Sequence, residues 1–264
     1  SALCSAASAL TQKKALQKLE AFDFCLLISV FNVIFSLPFF IKAPWDNLTF
    51  SLALLIIGKS FLNALGFWSV MKGIKTLELS RGLPLLALTP LFVALGGFIF
   101  LGESLSLLDL SGLCLIVLGA LLLEFKETRF EWKGFSKHGA ILMALFFMTL
   151  NTLVDRYIMG PLKVAPPLVM ALTQGSFLIF FVFVWPFAKS PAKQIASGFK
   201  SCWPWLIVIA LLTLSYRYTN LLALALAPAA LVIAVKRSSV FFATALGGKI
   251  FKEGHLWKRS IAAV

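Results

Sequence analysis

Lys236-Arg237 stands in the middle of an apolar run, 225–247, with eleven residues on either side of Lys236. If the run is helical, the lysine lies roughly 16 Å from each end. That is too far for its ammonium to reach the lipid headgroups, so the pair belongs with a counter-charge, a water path or a cavity. At helical spacing Lys236 shares a face with Ser239, Val240, Ala243 and Gly247, a stripe small enough to line a cavity. The chemistry such a pair offers is recognition of an anionic group. Pairing to a carbonyl or carboxylate purely for packing is the structural alternative. Lys59 and Asn63, four residues apart, point together from a second apolar run, and Asn151 precedes Asp155-Arg156 at the end of a third. There Arg156 could snorkel to headgroups with Asp155 beside it. Trp68 and Tyr218 are candidate walls, with Tyr216-Arg217-Tyr218 read as the end of a helix and as an interfacial anchor. Glu103 and Glu253 read as caps of short connectors. These groups suit binding, and no catalytic residue is expected: HExxH, GxSxG, a mid-membrane histidine and an Asp-rich pair are all missing.

The elements that must position these groups are set by composition. The 264 residues are 60% hydrophobic and 13% charged, with a mean hydropathy of +0.94. Soluble domains carry about 25% charged residues, so this charge density cannot clothe a water-exposed surface. Disorder is excluded by 14% aromatics. Spans of about 20 apolar residues fall near 24–41, 49–70, 82–101, 107–124, 139–158, 167–188, 203–221 and 225–247. They are uniformly apolar, unlike the alternating strands of a barrel, so the expected fold class is an all-α polytopic membrane protein. Pro84, Pro90 and Pro228 read as helix kinks. Residues 1–12 read as the last part of a helix and 260–264 as the first turn of another, which makes the chain a fragment of a ten-helix protein. Cys4, Cys25, Cys114 and Cys202 show no metal or disulfide spacing; no cofactor or metal is expected.

Charge placement supports the segmentation. Numbering the partial first helix as one, connectors after odd helices hold 17 Lys and Arg residues. Connectors after even helices hold three: Lys42, Lys163 and Arg217. The positive-inside rule puts the odd connectors in the cytoplasm, and the net charge of +13 is read as facing anionic lipid rather than nucleic acid. The polar connector 125–138 separates 1–124 from 139–264, five helices each. Five is odd, so a repeated unit must insert upside down, an architecture of secondary transporters. At an offset of 150 residues Phe92, Gly97 and Glu103 fall on Phe242, Gly247 and Glu253, and Trp68 falls on Tyr218.

The stretches TPLFVALGGFIFLGESLSLLDLSGLCLIVLGALLL (89–123) and KRSSVFFATALGGKIFKEGHLWKRSIAAV (236–264) resemble the helix four–five and nine–ten patterns of the drug/metabolite transporter superfamily, in its EamA-like branch. The resemblance covers nearly the whole chain and implies two inverted five-helix repeats around a substrate basket. Val240 stands where the second repeat would match Pro90. The charge placement also argues for an orientation opposite to that of well-studied members. Lys236-Arg237 is similar to the pair that phosphate-ester and nucleotide-sugar branches place in helix nine.

The resulting expectation is a secondary transporter, working by alternating access in a cytoplasmic (inner or plasma) membrane. Its solute is small and anionic or zwitterionic, because Lys59, Asp155, Arg156, Lys236 and Arg237 sum to +3. Lys236 and Arg237 would hold the anionic group, Asn63 and Asn151 would give hydrogen bonds, and Trp68 and Tyr218 would wall the cavity. The partners are the solute and the bilayer, with a homodimer left open. The alternatives are an exporter of amino acids or hydrophobic compounds, with Lys236 paired to Asp155, and a non-transporting membrane scaffold or sensor.

Overall fold

The structure, a computed structural model, describes residues 2–76, 88–104, 106–125, 135–188 and 190–236. Its described elements are helical: α1 (Ala2–Leu16), α2 (Ala21–Lys42), α3 (Phe50–Thr76), α4 (Thr89–Leu101), α5 (Leu107–Phe125), α6 (Phe135–Met159), α7 (Pro166–Val184) and α8 (Ala192–Leu226). A further helix, α9, is described over 229–236. Among the described residues five stretches are long and apolar enough to cross a membrane: Ala21–Lys42, Phe50–Lys75, Leu142–Met159, Pro166–Phe187 and Ala192–Leu226.

Local chemistry sets the boundaries. Thr49 caps α3 by accepting the Leu52 N–H. Ser106 and Asp109 form a reciprocal capping box at the start of α5: the Ser106 hydroxyl accepts the Asp109 N–H, and the Asp109 carboxylate accepts the Ser106 N–H. Prolines begin α4 and α7, where the missing N–H costs nothing. Pro90 therefore starts a helix instead of kinking one. Pro228 lies in the break between α8 and α9. The prolines found inside described helices are Pro38 and Pro204; Pro84 lies outside the described residues.

The main departure from expectation is α8. It begins at Ala192, so Lys193 and Lys200 lie on the helix, and it continues to Leu226 instead of stopping near 221. Ala227-Pro228 ends it, because proline disfavours helical geometry in the residue before it. The ninth span consequently starts at 229 and not 225.

Large apolar side chains such as Ile41, Phe50, Phe100, Leu107 and Phe183 point outward, while Gln12, Asp23, Asn32, Lys59, Asp155 and Gln174 are buried. That inside-out pattern fits lipid as the outer solvent. The bundle packs α3 on α6, α2 on α7 and α1 on α8. Gly66 lets α3 approach α6, since a Cβ there would lie 3.2 Å from the Phe147 Cβ. One core cluster is aromatic, joining Phe22, Phe24, Phe67, Phe177 and Phe181 near the end where α2 starts and α3 and α7 finish. A second, largely aliphatic cluster built on Ile56, Leu153, Ile158, Val169, Leu221 and Leu224 lies toward the opposite end.

Candidate functional site

Between these clusters lies an open cavity, about 710 Å³ of empty space when counted out through its mouth. α3 contributes Lys59, Asn63 and Phe67. From α6 come Met148, Asn151, Thr152 and Asp155, and from α7 Met170, Thr173 and Gln174. Tyr216, Arg217, Asn220 and Leu221 of α8 and Lys236 of α9 complete the wall. Lys59 is nine residues into α3 and Arg217 nine residues before the end of α8. Each is about 13 Å along its helix from the same end of the bundle, close to halfway through a hydrocarbon core of about 30 Å.

The electrostatics of the wall are resolved residue by residue. Lys59, 4% exposed, donates from Nζ to Asp155 Oδ1 at 2.5 Å. The other oxygen, Oδ2, accepts from Asn151 Nδ2 at 2.9 Å. The carboxylate accepts only, so the Asn151 nitrogen must face it and the amide oxygen must turn away. Lys59 and Asp155 thus cancel each other, and Asp155 is engaged by Lys59 and Asn151. Arg217 lies over the rings of Phe67 and Phe177, its Cζ 5.7 and 5.3 Å from their centroids. Among the described residues no carboxylate pairs with it. Lys236 Nζ sits 5.1 Å from the Tyr216 ring centroid.

Several polar atoms of lining residues are buried without a hydrogen-bond partner among the described residues: Asn151 Oδ1, Asn220 Oδ1, Thr173 Oγ1 and both side-chain atoms of Gln174. Each such group costs about 1–3 kcal/mol of desolvation. Concentrated on one cavity wall, they call for an explanation.

Five of the eight expected residues line this cavity: Lys59, Asn63, Asn151, Asp155 and Lys236. Arg237 lies outside the described residues. Trp68 and Tyr218 are not in the lining. Trp68 packs edge-on against Phe22 with Lys72 over its face at 4.0 Å, and Tyr218 packs on Phe39 at 5.0 Å. Arg156 neither lines the cavity nor snorkels to headgroups. It donates to Glu103 Oε1 at 2.5 Å and to the Leu224 carbonyl at 2.6 Å. Glu103 also accepts the Ala229 N–H at 3.1 Å, so it caps the start of α9 across the bundle. The expected excess of +3 is therefore redistributed. Asp155 offsets Lys59, Glu103 offsets Arg156, and Arg217 has no carboxylate partner among the described residues; Lys236 also lines the wall.

Arg217, Gln174 and Asn220 are among the lining residues that sequence reasoning missed. Arg217 was assigned to a helix end because a span of standard length was laid on α8; Pro228 was the true stop signal. Gln174 interrupts the apolar run of α7 as Asn63 interrupts that of α3, and the same criterion would have found it.

Residues 1–125 match the sequence model of the EamA-like transporter family. No curated protein matches the chain. Among solved structures 23 chains match. One, titled only as the crystal structure of a protein, covers 99% of this chain and 92% of its own at a TM-score of 0.67. At 12% identity that likeness speaks to the fold alone, and the fold is a known one. Residues 1–125 are thus similar to the EamA-like transporter family, and the chain is an integral multi-pass helical membrane protein.

Proposed function

We propose that the chain is a secondary transporter of a small anionic or zwitterionic metabolite, bound in the mid-bundle cavity and released by alternating access of two inverted five-helix halves, 1–124 and 139–264. The observation that carries this reading is the pairing pattern of the wall. Its one described carboxylate, Asp155, is already paired with Lys59, and Arg217, which meets no carboxylate among the described residues, faces the space beside Lys236. Removed from water, such cations attract an anion far more strongly than at a surface. Arg217 is braced by two phenyl rings, which keeps its guanidinium directed without consuming its hydrogen-bond donors. Lys59, Asp155 and Asn151 then act as the frame of the site, and Asn63 offers an amide. Trp68 and Tyr218 support it from the flanking cores.

The test is solute flux in reconstituted vesicles. Arg217→Ala and Lys236→Ala each lower anion uptake by about tenfold or more, the scale of a lost charged hydrogen bond, while leaving the fold intact. Undiminished uptake in both variants refutes the assignment.

A further inference from the structure

The cations of the cavity supply only hydrogen-bond donors. The opposing chemistry comes from α6, α7 and α8, whose amide oxygens Asn151 Oδ1, Asn220 Oδ1 and Gln174 Oε1 have no partner among the described residues. The Asn151 oxygen is fixed in that role, because its nitrogen is committed to Asp155. For Gln174 the assignment of oxygen and nitrogen is immaterial, since neither atom has a partner. Gln174 is also fully buried, at 0% exposure, yet belongs to the cavity lining. A leucine or methionine would fill the same position in a membrane helix without an unpaired amide. The wall is thus two-toned, with cations at Arg217 and Lys236 and acceptors at Gln174, Asn220 and Asn151.

We propose that Gln174, with Asn220 and Asn151, reads hydroxyl or amine donors on the solute, so that the site separates anions carrying such donors from bare anions of equal charge. The inference rests on the anion-binding reading above. It adds a specificity-determining residue that the charges alone do not supply. The unpartnered amide atoms are shut off from water, so the solute meets Gln174 and Asn220 by turning their side chains as it settles, while Asn151 stays held by Asp155. A site built to pair a hydroxyl or amine rejects the analogue lacking it, because its own buried groups are otherwise left unpaired.

The experiment compares matched pairs on the purified protein by calorimetry: glycerate against propionate, and glycerol phosphate against propyl phosphate. Wild type favours the donor-bearing member of each pair by about tenfold. Gln174→Leu levels that preference and melts no lower without solute, since an unpaired amide has been replaced by an apolar group. If the leucine variant does not fold, Gln174→Met, unbranched and closer in shape, carries the same prediction. Preference retained in the variant, or absent in wild type that binds both members, overturns the inference alone. Wild type binding none of the four overturns the anion-binding reading, and this inference with it.

Discussion

Asp155 has two oxygens, and the structure spends one on Lys59 and the other on Asn151. A buried ion pair of this kind is costly to break from one side, because the remaining charge stays in a low-dielectric interior. Lys59→Met therefore destabilises the protein by about 3–5 kcal/mol. The double variant Lys59→Met/Asp155→Leu recovers most of that loss, since no unpaired charge remains. Thermal melting in detergent checks both, and a double variant no better than the single one would show that the pair does not act as a unit. At this scale the sequence was informative where a polar residue interrupted an apolar run at helical spacing. Lys59 and Asn63 were placed on one face for that reason, and both line the cavity. The partner of a charge was not legible. Nothing in the order of residues says that Lys59 meets Asp155, 96 positions away, or that Arg156 meets Glu103.

Element boundaries decided which residues could be found. The length of α8 turns Arg217 from an interfacial residue into a mid-membrane one. Glu103 shows the reverse, a boundary residue with a long-range duty. Gly102, at φ +64°, ends α4 in a left-handed turn that suits glycine. Just beyond it, Glu103 binds Arg156 of α6 and the first N–H of α9, while Arg156 also binds the last turn of α8. Four helices are thus tied at one end by groups of fixed polarity, since a backbone N–H needs an acceptor and a carbonyl needs a donor. Exchanging the charges, Glu103→Arg with Arg156→Glu, should consequently fail to restore stability. The single Arg156→Met already costs about 3–5 kcal/mol, and the melting temperature of the exchanged variant should lie no higher than that of the single one. Full recovery would mean that only the ion pair matters and that the backbone contacts are incidental.

Across the whole molecule the basic groups gather at the end where α1 and α3 finish and α2 and α8 begin. There Lys13 donates to the Ile74 carbonyl, Lys75 pairs with Glu20, and Lys14 lies over Trp205. Asp23 holds Ser190 and Gln194 at the same end. The all-helical class was legible from hydropathy, because lipid forces every span to satisfy its own backbone. The shape of the cavity was not, since it depends on which helices become neighbours. The inverted relation of the two halves stays part of the proposal. Its substance is that the bundle holds an anion site at mid-depth, between the aromatic cluster and the aliphatic one. The most direct measurement is the melting temperature of the purified protein with anionic, zwitterionic and cationic metabolites at millimolar concentration. A solute at 100 times its dissociation constant adds about 2.7 kcal/mol of stability. The account predicts stabilisation by anions or zwitterions that disappears in Arg217→Ala. Stabilisation by cations, or anion stabilisation that survives Arg217→Ala and Lys236→Ala together, would contradict it.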